Sequence, residues 1–528
     1  MDAKLETFVD HVGGCGLFQV CLSTCLILIC FTGVWGMMFM TFALYNPGWT
    51  CADLDSGQTS LLYLNGTNTF SSASTNTSTY NTSESNTSSV EDICLAASSC
   101  SNFRFDTESS TVLTEWNLIC DRGWVIPVMV SVQMVGVTIG SVLGGQIGEL
   151  CGRKVSVYLW VAIIGVTNVI AVFSVSWEML TAVRFFLGIG VGGVVATSLA
   201  YPLEFANGKW RIIISSVPAW NIGSLTFGVC LYLLKDWRNV QIATAVMCAL
   251  IFLTVFWVPE SLRWLAVHGH TEKSMKVALQ ICKLNRKPKP SFSEIDFSGS
   301  EGCEEDKRPS LVMLFRRELL QKTILTCSCA FLIAVMYYTI SFGIGSLFGN
   351  FYLNFILYAV FIVPVFPLTF ILGNNLGRRK ATVIFLIVAG IFSFSIAVVS
   401  MTMHSSTGAY VSTCLALATN AFLGLAWNVM VPFFIELFPT SVRTLSFGLS
   451  SAASRAGGIV APYLIPRDSD HMYISFLVIG VMSVLCCLMT LALPETNKQP
   501  MSDVMKTVPS GVTINAQRNS EDCDESLL

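Results

Sequence analysis

Long apolar runs broken by short polar, glycine-bearing segments repeat along this 528-residue chain. A helix needs about 20 apolar residues to cross a hydrocarbon core of about 30 Å. Twelve stretches reach that length: 16–44, 124–147, 155–175, 179–200, 212–234, 239–258, 323–348, 351–373, 381–402, 409–435, 446–466 and 472–493. The pattern predicts an all-α membrane protein with twelve transmembrane helices. A short basic cassette occurs twice. Gly152-Arg153-Lys154 follows the second run, and Gly377-Arg378-Arg379-Lys380 follows the eighth. In each half the cluster falls between the second and third spans, and a long polar segment separates the halves. Such spacing predicts two six-helix bundles in one membrane, the build of a carrier rather than an enzyme or a receptor. The expected divisions are an N-terminus at 1–15, a first bundle at 16–258 carrying a loop at 45–123, a linker at 259–322, a second bundle at 323–493 and a tail at 494–528. The first run is too long for a signal peptide and has acidic residues upstream, so it reads as the first span.

Composition sharpens this. With 53% hydrophobic and 12% charged residues and a mean hydropathy of +0.63, no soluble class fits. A net charge of −3 gives no reason to expect nucleic acid as a partner. Most of the nineteen cysteines lie in apolar runs, where they act as small apolar residues. Cys51, Cys94, Cys100 and Cys120 instead share one polar segment with the glycosylation sequons at Asn65, Asn76, Asn81 and Asn86. Sequons beside an even cysteine count predict an extracellular or lumenal loop with disulfides, whose pairing has three possibilities. The basic residues agree. Twenty lysines and arginines fall in loops on one side of the membrane and five on the other, which places both termini in the cytoplasm and the sequon loop outside. The expected location is therefore the plasma membrane. The ending Ser526-Leu527-Leu528 matches a PDZ ligand over three residues only, and an inert tail is the plainer reading.

Charges inside the spans are few. The five histidines lie outside them, and no Asp or Glu reaches mid-membrane. Two arginines enter. Arg184 precedes the run Gly188-Gly190-Gly192-Gly193 and reads as a residue of tight helix packing. Arg455 stands about ten residues into the eleventh span, about 15 Å deep at 1.5 Å per residue. A charge there costs several kcal/mol. Its bland reading is an arginine bonded to carbonyls or hydroxyls of a neighbouring helix. The functional one is a fixed cation that meets an anionic group of the substrate, since a guanidinium fork matches a carboxylate. Without a buried acid or histidine relay, uniport or exchange is simpler than proton coupling. Aromatic residues are plentiful nearby. Tyr337, Tyr338, Phe342, Tyr358, Phe361 and Trp427 in the second half and Trp220 in the first could wall a cavity for an organic ion, with Gln133 and Asn428 to orient it. Singly, each such ring more often faces lipid or packs between helices.

Several segments carry a family resemblance from about Asp10 to Gln499. They are Asp10-His11-Val12-Gly13, Glu115-Trp116-Asn117-Leu118-Ile119-Cys120, Asp236-Trp237-Arg238, Pro259-Glu260-Ser261-Leu262-Arg263-Trp264-Leu265, Glu436-Leu437-Phe438-Pro439-Thr440 with Arg443, and Pro494-Glu495-Thr496. The chain resembles the organic cation, anion and zwitterion solute carriers of the major facilitator superfamily. That resemblance implies the major facilitator fold and alternating access about a midplane site. It also implies a gating network of Glu149, Arg153, Glu204, Arg211, Arg378, Glu436 and Arg443. The cassettes depart from the family pattern: Glu149 replaces an aspartate, Leu150 an arginine, and Asn374 and Asn375 the acid and arginine of the second copy. Nineteen residues after Glu436 the family's cation carriers have an aspartate, whereas its anion and carnitine-type members have an arginine. Here that residue is Arg455. Near Pro364, where anion carriers often add a second cation, this chain has Val365 and Phe366, which favours a monoanion or zwitterion.

The expectation is a carrier of small organic anions or carnitine-like zwitterions in contact with membrane lipid, with no cofactor, metal or catalytic constellation. The alternatives are an organic cation carrier using cation–π contacts, a sugar carrier, and a membrane glycoprotein that transports nothing.

Overall fold

The computed structural model describes residues 16–43, 45–51, 62–63, 103–105, 109–198, 200–205, 217–288, 311–403, 405–439, 442–465 and 472–496. Asn65, Asn76, Asn81, Asn86, Cys94, Cys100, Arg211 and the C-terminal tripeptide lie outside them. The apolar runs form the helices α1 (Leu17–Ala43), α2 (Val125–Leu150), α3 (Arg153–Val172), α4 (Trp177–Ser198), α5 (Ala219–Leu234) and α6 (Trp237–Phe252) in the first half. The second half holds α7 (Arg317–Phe342), α8 (Phe351–Val365, continued by Pro367–Asn375), α9 (Arg378–Thr402), α10 (Ser406–Glu436), α11 (Arg443–Val460) and α12 (Met472–Leu491). Among the described residues ten stretches are long and apolar enough to cross a membrane. The other two helices explain themselves. α5 is described over only 16 residues, and α11 (RTLSFGLSSAASRAGGIV) is rich in serine and carries Arg455. A polar helix survives in a membrane bundle only where its polar face is turned inward.

Successive helices alternate in direction. The described residues between α1 and α2 therefore lie at one end of the bundles, here the loop end. The two cassettes and the described residues 253–288 and 311–316 occupy the other, here the linker end. Three short antiparallel strands, Trp49–Cys51, Leu62–Tyr63 and Phe103–Phe105, form a small sheet at the loop end. At the linker end, helices Leu262–Val267 and Thr271–Asn285 follow α6. The second of them holds α1 through Asn285, whose Oδ1 accepts from Phe18 N–H (3.0 Å) and whose Nδ2 donates to Gln19 Oε1 (2.9 Å).

Close packing inside the first half depends on glycine. A Cβ at Gly140 or Gly192 would collide with the carbonyls of Ile189 and Val137, so these positions let α2 and α4 touch backbone to backbone. The outer surface is apolar. Phe173, Val175 and Phe256 are more than two-thirds exposed, a surface suited to lipid rather than water.

Candidate functional site

The polar interior of the second half is built from α7, α8, α10 and α11. On α7, Tyr337 and Ser341 are four residues apart, as are Tyr338 and Phe342, so each pair shares a face. Tyr337 Oη and Tyr358 Oη of α8 lie 3.0 Å apart, and Ser341 Oγ lies 3.2 Å from the same Tyr358 hydroxyl. Ser341 Oγ also donates to Asn420 Oδ1 of α10 at 3.5 Å. Around this hydroxyl chain the rings of Tyr337, Tyr338, Phe342 and Trp427 meet at centroid distances of 5.6 to 6.1 Å, with Tyr338 stacked on Phe342.

Arg455 enters this cluster from α11. It is 9% exposed, and its Nη1 donates to Tyr338 Oη at 3.0 Å. Its Nε is buried without a partner. Among the described residues no carboxylate pairs with it. A buried guanidinium with one neutral acceptor is short of negative charge, and a group that brings two oxygens would satisfy it.

Of the other residues proposed from sequence, Trp220 is half-buried with its Nε1 unpartnered. Gln133 is buried inside the first half, where Nε2 donates to the Gly36 carbonyl of α1 at 3.3 Å and Oε1 has no partner. Neither of these first-half residues is brought into the cluster, and two residues of the second half also stand outside it. Phe361 is 45% exposed, because the packed face of α8 runs through Phe355, Tyr358, Ala359 and Ile362 and leaves Phe361 well off it. Asn428 is likewise on an exposed position of α10.

At the linker end the two cassettes fold alike. Gly152 and Gly377 both take φ = +101° as N-caps of α3 and α9, a conformation that favours glycine. Each also sits where a Cβ would strike a carboxylate, Glu260 in the first copy and Glu495 in the second. Glu260 Oε1 accepts from Lys154 N–H at 3.1 Å, and Glu495 Oε1 accepts from Arg379 N–H at 3.3 Å. An acid at a helix N-terminus satisfies orphan donors and the helix dipole together. Sequence reasoning missed both capping acids, although Pro-Glu-Ser and Pro-Glu-Thr at the close of each half were a visible signal.

The ion pairs beside these caps are unequal. Arg153 holds Glu149 (2.6 Å) and Glu204 (3.0 Å), whereas Arg378 holds Glu436 at 3.5 Å. Burial raises the Glu204 carboxyl above its ordinary range, against the lowering pull of Ser261 and Arg153. Arg443 opens α11.

At the loop end the halves are joined. Thr41 Oγ1 donates to the Ser341 carbonyl (3.2 Å), Ser131 Oγ donates to the Ile459 carbonyl (2.8 Å), and Tyr45 stacks on Phe351 at 4.4 Å. Ser109 Oγ lies 3.0 Å from Tyr352 Oη. The base of the loop is clamped to α6 by Glu115, which takes Arg238 at 2.5 and 2.6 Å and Trp237 Nε1 at 2.7 Å. Cys120 is disulfide-bonded, and Cys51 closes the first strand.

Residues 60–506 match the family model described as sugar (and other) transporter. The chain belongs to that transporter family. Among its relatives is the organic cation/carnitine transporter 2 of Mus musculus, 27% identical over 405 residues that cover 76% of this chain and 72% of the relative. A Xenopus tropicalis protein, solute carrier family 22 member 15-like, is 28% identical over 428 residues, covering 80% of this chain and 86% of its own. The Escherichia coli xylose transporter XylE, in a partially occluded inward open conformation, superposes with a TM-score of 0.59 at 18% identity, covering 91% of this chain and all of that one. The fold is that of the major facilitator superfamily, and the protein is a multi-pass membrane transporter, not an enzyme.

Proposed function

We propose that this member of the family carries small organic anions or carnitine-like zwitterions by alternating access, as a uniporter or exchanger. The observation that carries this reading is Arg455, a buried guanidinium with one tyrosine hydroxyl, one unpartnered N–H and no acid paired with it among the described residues. Its natural partner is the carboxylate of a substrate. The rings of Tyr337, Tyr338, Phe342 and Trp427 then offer faces to the cationic or apolar remainder. The relatives named for organic cations and carnitine support an amine-bearing substrate. A carboxylate at one end and a quaternary amine at the other suit both features. The ring cluster also favours a second reading, a simple organic cation as substrate.

The linker end faces the cytoplasm and the sequon loop faces outward in this reading, which rests on the charge asymmetry of the loops. The protein then works at the plasma membrane. With the loop end joined as described, the central site is served from the cytoplasmic side in this state. The gating network is Arg153 with Glu149 and Glu204, and Arg378 with Glu436. Arg211 and Arg443 are proposed as further members. Uptake of labelled carnitine into expressing cells, with unlabelled acids and quaternary amines as competitors, tests the proposal. Inhibition by carboxylates and zwitterions supports it. Inhibition by amines alone assigns the cation reading, and no flux despite surface expression contradicts both.

A further inference from the structure

Arg184 of α4 is fully buried, 0% exposed. Its Nη1 reaches the Gly36 carbonyl of α1 at 3.4 Å, and its guanidinium carbon lies 3.8 Å from the centre of the Phe39 ring. Its Nε and Nη2 have no partner, and no carboxylate pairs with it among the described residues. The same Gly36 carbonyl receives Gln133 Nε2, so three helices of the first half converge on one oxygen and one uncompensated cation.

This node stands behind the seam between the halves. Gln133 precedes Met134, and a Cβ on Gly458 of α11 would lie 3.3 Å from both Met134 Sδ and Tyr338 Cδ2. Tyr338 in turn holds Arg455. The next turn of the seam is fixed by Ser131 on the Ile459 carbonyl. The two guanidinium groups, one in each half, thus stand on either side of the Met134–Gly458–Tyr338 contact, and among the described residues no acid pairs with either.

We propose that Arg184 is a specificity-determining residue that acts through its field rather than by contact. It raises the potential of the central site, favouring a substrate carboxylate and disfavouring a bare cation. The inference rests on the assignment of Arg455 as the carboxylate partner. Charge–charge coupling at an effective dielectric near 20 is felt beyond contact distance. The packing of Arg184 against Phe39 and Gly36 explains where the side chain lies but not why a cation is retained there.

The test compares KM for a labelled aromatic carboxylate and for tetraethylammonium in cells expressing the full chain. The variants are Arg184→Gln, Arg184→Lys, Gln133→Glu and Arg455→Gln. Arg184→Gln is expected to raise the carboxylate KM several-fold, while the KM for the amine stays level or falls. Arg184→Lys is expected to keep the native ratio. Gln133→Glu places an acid beside the guanidinium without removing it, and the same selective loss is expected. It also serves if Arg184→Gln fails to reach the membrane. A change of equal factor for both substrates, or no change in either, overturns the field role and leaves Arg184 a packing residue. If Arg455→Gln also spares the carboxylate, the underlying assignment fails. If only Arg455→Gln is selective, the assignment stands and the role of Arg184 falls.

Discussion

Arg455 was legible from sequence because a charge deep in an apolar run has few structural excuses. Its tyrosine partner was not. Tyr338 is one of four aromatics on α7, and only the approach of α11 brings its hydroxyl to 3.0 Å from Arg455 Nη1. The same limit applied to Phe361, where composition suggested a cavity wall and the helix phase leaves the ring 45% exposed, apart from the ring cluster. Arg455→Gln is expected to weaken carboxylate transport by about thirtyfold or more, the scale of losing one partner of a buried charge pair. Arg455→Lys should recover only part of this, because an ammonium lacks the planar fork. Concentration-dependent uptake, corrected for surface expression, measures both. Tyr358→Phe removes the hydroxyl shared by Tyr337 and Ser341, and about 1 kcal/mol of stability is the expected cost. A thermal melt of the purified protein checks it.

Helices were predicted in the right number and order, since span length and the doubled cassette are properties of the chain itself. Their ends were less legible. α7 begins at Arg317 and not at 323, because a helix does not stop where the hydrocarbon does. The predicted span 351–373 is interrupted after Val365, near Pro364 and Pro367, where proline removes a backbone donor and crowds the preceding turn. The ion pairs of the proposed latches show how a sequence departure becomes geometry. Asn374 stands where the first cassette has Glu149, and the second latch retains the looser contact of Arg378 with Glu436, at 3.5 Å. Asn374→Asp would place an acid four residues before Arg378. A surface pair of this spacing contributes about 0.3–0.5 kcal/mol, so a roughly twofold slowing of exchange is expected in a proteoliposome flux assay. An unchanged rate would mean that the second latch does not limit the cycle.

The molecule as a whole is two bundles joined at the loop end, and nothing in a single sequence announces which end is joined. That depends on contacts distant in the chain, such as Ser109 with Tyr352 and Thr41 with Ser341. Tyr352→Phe removes one such bond, worth about 1 kcal/mol, or roughly fivefold in the population open at the loop end. Labelling of an introduced Ser341→Cys by a membrane-impermeant thiol reagent, applied on the loop side, should quicken accordingly. An unaltered labelling rate would show that the Ser109 contact holds nothing shut. The two guanidinium groups, one per bundle and neither paired with an acid among the described residues, give the interior its proposed electrical character. Equilibrium binding of carnitine and of its methyl ester to the purified transporter isolates that character, since the two ligands share the quaternary amine and differ in the negative charge. Carnitine is expected to bind at least tenfold more tightly, with the difference abolished in Arg455→Gln. Equal binding of acid and ester to the native protein would contradict the role assigned to Arg455.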